Sequence, residues 1–166
     1  HSGSYYKNKT KFSGFCQKGM ERMIAIGSDH GGFALKEEIK KHLDEKKIPY
    51  EDFGTYSTDS VDYPLIAEKA CAAITSGKCD KGILCCGTGI GISMAANKIK
   101  GIRAALCSDY FSAKYTRLHN DANVLCMGGR TIGPGLALEL VDVFLNTPFE
   151  GGRHERRIGQ IAMIEN

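Results

Sequence analysis

The stretch Cys85-Cys86-Gly87-Thr88-Gly89-Ile90-Gly91-Ile92-Ser93 sets a thiol beside three glycines at the end of an apolar run. Glycines in such a turn let backbone N–H groups converge on one point at a helix N-terminus, which suits a phosphate or a developing oxyanion. Cys86 ends the apolar run, where converging amides favour a thiolate over a thiol. Cys85 points to the other side of the strand and reads as core. The spacing is GxGxG rather than the GxGxxG of dinucleotide folds, and a plain strand-to-helix turn is the competing reading.

Three further groups have side chains fit for chemistry. Asp29 and His30 precede Gly31 and Gly32. A carboxylate and an imidazole there can exchange protons with a sugar oxygen and grip a phosphate, or Asp29 can simply cap the following helix. His119 and Asn120 close a helical segment, where a histidine also complements the helix dipole. Arg153 and Arg157 stand four apart and share a helix face, as a phosphate clamp or as an ordinary solvated end.

Short β-rich runs alternate with stretches of helical spacing, the signature of an α/β fold. Strands are expected at 23–27, 48–53, 82–86, 102–107 and 122–127. The spacing predicts helices at 33–46, with Leu35, Ile39 and Leu43 inward and Lys36, Glu37, Lys40 and Lys41 outward, and at 63–75. A helix through Ile99 follows the glycine turn, then helices at 110–118 and at 136–145, the last with Leu136, Leu140, Val143 and Phe144 inward. The third strand has no polar side chain, so it should be covered on both faces, as in a parallel sheet. In such sheets ligands bind beyond the carboxyl ends of the strands near a switch in strand order, which selects 28–32, 54–55, 86–91, 108–109 and 128–130.

A chain of 166 residues with 42% hydrophobic composition fits one domain, expected at 23–166, with the polar residues 1–22 as a leader or expression remnant. The net charge of +3 is mild and forms no basic stripe interleaved with aromatics, which argues against a nucleic-acid partner. No apolar run is long enough to span a bilayer and no secretion signal opens the chain, so a cytoplasmic protein without a membrane partner is expected. The seven cysteines, Cys16, Cys71, Cys79, Cys85, Cys86, Cys107 and Cys126, follow neither a disulfide framework nor a zinc-site spacing.

In order along the chain stand GSDHGG, SVDYP, CGTGIGISMAANK, GIRAA, HNDANVL and EGGRHERR. This ordered set resembles the type B ribose-5-phosphate isomerase family, which includes galactose-6-phosphate and allose-6-phosphate isomerases. The resemblance implies a Rossmann-like three-layer α/β/α sandwich with a five-stranded parallel sheet, forming homodimers or homotetramers with active sites at the subunit interface. It implies no metal and no organic cofactor. Carried onto matching positions, it makes Cys86 the base that moves a proton between C1 and C2, while Thr88 and the backbone of Gly87, Gly89 and Gly91 hold the enediolate. Asp29 and His119 help open the furanose; Asn120 and Tyr63 contact the sugar; His30, Arg153 and Arg157 hold the phosphate. Some members use a glutamate in the following helix instead of the cysteine, and Ile92-Ser93 offers no acid here. The expected activity is interconversion of ribose 5-phosphate and ribulose 5-phosphate through a cis-enediolate. The alternatives are a six-carbon phosphate (allose 6-phosphate or galactose 6-phosphate), and a non-catalytic sugar-phosphate or nucleotide-binding module in which Asp109, about 20 residues past the turn, stands in for a ribose-binding acid.

Overall fold

Successive strand residues face opposite sides of a sheet, and this chain fills both sides with apolar side chains. Ile24, Ile26, Ile83, Cys85, Leu125 and Met127 enter one core; Ala25, Leu84, Cys86, Val124 and Cys126 enter the other. The computed structural model describes residues 23–166, and the expected leader at 1–22, with Cys16, lies outside them. The described elements are β1 (Ile24–Ser28), α1 (Phe33–Glu45), β2 (Tyr50–Asp52), α2 (Tyr63–Thr75), β3 (Lys81–Cys86), α3 (Ile90–Asn97), β4 (Ala104–Leu106), α4 (Tyr110–Asn120), β5 (Val124–Gly128), α5 (Pro134–Asn146) and α6 (Arg153–Ile164).

All strand pairs are parallel, in the order β2-β1-β3-β5-β4. Helices α1 and α5 cover one face through Leu35, Ile39, Leu43, Leu140 and Phe144; α2 and α3 cover the other through Ala67, Ala70, Ile92 and Ala96. This is the expected α/β/α sandwich. The strand order reverses between β1 and β3, so the Asp29-His30 segment and the Cys86 turn emerge side by side at that crevice. The insertion of β5 between β3 and β4 makes β4 an edge strand, shortened to three residues against the expected 102–107.

Two expectations about side chains are corrected. Lys36, expected on the solvent face of α1, is fully buried. Its ammonium donates to both Asp52 carboxylate oxygens, at 2.8 and 3.0 Å, and to the Thr55 carbonyl, so a partner on β2 outweighs the helical pattern. Leu136 is 36% exposed; Ala137 and Val141 take inward positions beside Leu140 and Phe144, turning the apolar stripe of α5 away from its first turn.

Burial alone would raise the Asp52 carboxyl, but Lys36, the Gly54 N–H and Lys40 outweigh it and leave it below the ordinary carboxylate value. A folded-state value below the unfolded one gives stability that is complete above the unfolded value and lost as pH falls through the folded one. We therefore expect acid unfolding to weaken in dependence on this site when Asp52 is replaced by Asn. Lys36→Met should cost roughly 3 kcal/mol in a denaturant melt, at the low end for a broken buried pair because Lys40 still reaches Asp52 at 3.0 Å.

Candidate active site

Strand β3 delivers Cys86 to the carboxyl end of the sheet, and the chain then folds back on it. Gly89 caps α3 with φ of +78°, and its N–H donates to the Cys86 sulfur at 3.1 Å. A side chain is barred there twice over: the backbone is left-handed, and a Cβ would lie 2.5 Å from the Leu106 side chain and 2.8 Å from the Met127 carbonyl carbon. The Thr88 hydroxyl oxygen accepts from the Ile90 N–H at 3.2 Å, which leaves its own hydrogen to donate elsewhere.

Cys86 is only 4% exposed. Burial pushes the Cys85 and Cys71 thiols up to about 12 and Cys107 up to about 11, and holds Cys126 well above the ordinary thiol value, so these four remain inert thiols. Cys85 belongs to the α1/α5 core and Cys86 to the α2/α3 core, as their opposite strand directions require.

The neighbouring strand end supplies the polar groups. Asp29 is buried and accepts the Gly32 N–H at 3.1 Å; Gly32 itself is the N-cap of α1, so Asp29 braces the turn before the helix rather than capping it. His30 accepts the Val61 N–H on Nδ1 at 3.3 Å, which assigns the hydrogen of the neutral ring to Nε2. Gly31 abuts the turn, since a Cβ on it would stand 3.0 Å from the Gly87 nitrogen. Tyr63, at the start of α2, lies against Gly91, where a Cβ would meet its ring at 2.5 Å. Asp29, His30 and Tyr63 line one hollow of about 570 Å³. Arg130, at the strand end 128–130 but without a role legible in the sequence, has its Nη1 3.2 Å from where a Gly87 Cβ would be, a cation over the turn.

The remaining candidates gather elsewhere. His119 and Asn120, at the end of α4, line a separate hollow of about 340 Å³ beside β4, with Leu106, Phe111 and Tyr115. Buried Arg117 fixes this end by donating to Asp121 at 2.8 Å, the Ala122 carbonyl at 2.7 Å and the Thr147 carbonyl at 3.1 Å. Arg103 adds a bond to the Asn120 carbonyl at 2.9 Å. The His119 ring stacks on that of His154 with centroids 4.0 Å apart, and its Nε2 lies 3.4 Å from a Glu150 carboxylate oxygen. Desolvation, with the adjoining His119, Arg153 and Arg157 charges, lowers His154 below the ordinary histidine value. Arg153 and Arg157 are both exposed on α6. Thus Cys86, Thr88, Asp29, His30, Tyr63 and the three glycines adjoin one another, while His119, Asn120, Arg153 and Arg157 occupy the α4/α6 side.

Asp109, the residue a nucleotide-binding reading would need, is committed to structure. It caps α4 by accepting the Ser112 N–H at 2.7 Å, and that bond holds its carboxyl below the usual range. No helix among the described residues is long and apolar enough to cross a membrane.

A doubly wound parallel sheet with a left-handed glycine turn over a strand-end thiol, beside a polar crevice at the switch point, defines a Rossmann-like α/β protein. The profile of the Ribose/Galactose Isomerase family matches residues 24–161, and the chain belongs to that family. It is 49% identical over 144 residues to ribose-5-phosphate isomerase B of Escherichia coli, covering 87% of this chain and 97% of that protein. The structure of Clostridium thermocellum ribose-5-phosphate isomerase B superposes with a TM-score of 0.85 at 52% identity, over 86% of this chain and 97% of that one. That of the Mycoplasma genitalium ribose-5-phosphate isomerase B with bound ribulose-5-phosphate gives 0.84 at 42% identity, over 88% and 97%.

Gly89→Ala should lower stability by roughly 1–3 kcal/mol, the cost of a strained left-handed residue, and should reduce activity by moving the amide off the sulfur. Denaturant titration and a turnover assay on the same preparation check both; an alanine accepted at no cost to either would mean the turn is not constrained as described.

Proposed function

We propose that the chain interconverts ribose 5-phosphate and ribulose 5-phosphate through a cis-enediolate, with Cys86 as the base. The observation that carries the reading is the Cys86 sulfur held 3.1 Å from the Gly89 N–H at the end of β3, beside the crevice of Asp29, His30 and Tyr63. Relatives of this size and similarity named for that reaction support the substrate.

In this reading Asp29 and His119 shift protons between the ring oxygen and the C1 hydroxyl, opening the furanose. The Cys86 thiolate removes the hydrogen at C2 of the aldose, the proton on O2 passes to O1, and the thiol returns hydrogen to C1 to give the ketose. Negative charge develops on the substrate oxygens, and donors aimed at that point lower the barrier. The Gly89 amide is already engaged by the sulfur, so this task falls to the Thr88 hydroxyl and the remaining backbone of Gly87 and Gly91. Tyr63 and Asn120 orient the sugar. His30, Arg153 and Arg157 hold the phosphate, and Arg130 adds positive charge over the turn.

The separation of the two groups of residues supports a homodimer or homotetramer in which His119, Asn120 and the α6 arginines act in a partner's crevice. Exposed Leu106 on the edge strand, with exposed Ile90, Met94 and Phe111, offers apolar surface for that contact. The six cysteines among the described residues are free and buried, which accords with a reducing, cytoplasmic setting.

Cys86→Ala should lower kcat on the order of a thousandfold while sugar-phosphate binding persists, because a general base is lost and the anion contacts are not. Near-normal turnover would remove the thiol from the mechanism. Arg153→Ala should raise KM by about tenfold or more with a smaller change in kcat, the loss expected of a charge-assisted bond. Kinetics on ribose 5-phosphate, allose 6-phosphate and galactose 6-phosphate test the substrate; preference for a six-carbon phosphate would overturn it.

A further inference from the structure

Among the described residues, His119, Glu150 and His154 bring their ligating atoms within 4.8 Å of one another, away from the Cys86 turn. We propose that these three residues form a binding site for a borderline-soft divalent cation such as Zn²⁺, and that its occupancy inhibits the enzyme. The inhibitory half rests on the ring-opening role given above to His119; the binding half does not.

Two imidazoles and one carboxylate are a donor set that suits zinc and leaves a coordination position open, whereas magnesium and calcium favour oxygen ligands. The three come from the end of α4, the α5–α6 connection and the first turn of α6, and those segments are already tied together. The Glu150 N–H donates to the Leu118 carbonyl at 3.0 Å, and Arg117 bridges the end of α4 to the Thr147 carbonyl at 3.1 Å.

Zinc bonds of about 2.1 Å in a tetrahedral shell place ligand atoms roughly 3.4 Å apart, so the side chains must draw together. Glu150 is exposed and precedes Gly151 and Gly152, both at positive φ, and His119 is partly exposed while His154 is buried, so the adjustment falls on the Glu150 and His119 side chains. The stacked His119 and His154 rings must splay for both to aim a nitrogen at one ion. Arg153 and Arg157 repel a cation, which keeps the affinity modest and makes the site responsive to metal excess rather than permanently filled. An ion on His119 occupies the lone pair that ring opening would use as a proton acceptor, and it anchors that ring on its own subunit.

Calorimetric titration of the full chain with zinc chloride tests the site, alongside turnover in zinc with magnesium as control, each variant's rate taken relative to its own metal-free rate. We expect one zinc per chain in the wild type and in Cys86→Ala, and binding at least about tenfold weaker in Glu150→Gln/His154→Ala. Zinc should inhibit the wild type at concentrations that spare the double variant, with reversal by EDTA. Circular dichroism verifies folding, and Glu150→Gln alone serves if the double variant is unfolded. Binding that disappears in Cys86→Ala and survives in the carboxylate and histidine variants would assign the metal to the thiol and overturn the proposal. Stoichiometric binding without inhibition would overturn it as well. Full metal-free turnover of His119→Ala would instead fail the ring-opening reading, and the calorimetry is independent of that result.

Discussion

The Gly89 N–H can face back to the Cys86 sulfur because Gly89 has a backbone conformation that side chains resist and sits in a space that the Met127 carbonyl and Leu106 have already filled. That contact fixes where the thiol points, where α3 starts and how closely β5 packs on the turn. The polar groups are then added from outside: Gly31 brings the β1 end against Gly87, and Tyr63 closes on Gly91. Each of these approaches depends on a missing side chain, so the crevice is shaped as much by what the glycines lack as by what the polar residues supply.

The order of the sheet governs the rest of the arrangement. With β5 between β3 and β4, the short strand β4 is left at the edge with Leu106 exposed, and α4 carries His119 and Asn120 to a hollow of their own. A single chain therefore presents one crevice with a thiol and another surface with an imidazole, an amide and two guanidiniums. In the proposed assembly, joining such surfaces across copies of the chain would give each site both sets without bending the fold. Arg117 and Arg103, donating to the Ala122 and Asn120 carbonyls, hold the backbone at the end of α4 that carries His119 and Asn120. A cation on His119, Glu150 and His154 would act on that second set alone.

The architecture was legible because periodicity is a local property: β3 and β5 read as uninterrupted apolar runs, and α1 and α2 repeat apolar residues at helical spacing. Pairing between distant strands is not local, and the place of β5 inside β4 left no mark in the pattern. Lys36 misled for a related reason, since its partners Asp52 and Thr55 lie on another element and draw a charged side chain into the core. Asp109 could have been recognised as a cap from its place just before the tyrosine that opens α4. Arg130 carried a usable signal, its position at a strand end, but a guanidinium after two glycines acquires meaning only when β5 is known to adjoin β3. The Cys86 turn was readable because its chemistry and its geometry are encoded in consecutive residues.

The central claim is that the Cys86 sulfur carries hydrogen between adjacent carbons of the opened sugar phosphate. Proton NMR of ribulose 5-phosphate in deuterium oxide follows carbon-bound hydrogen directly, at C1 of the ketose and C2 of the aldose, in the wild type and in Cys86→Ser. The account predicts deuterium wash-in catalysed by the wild type and absent with the serine variant, even where titration shows that variant binding the sugar phosphate. Wash-in at the wild-type rate without the thiol would contradict it.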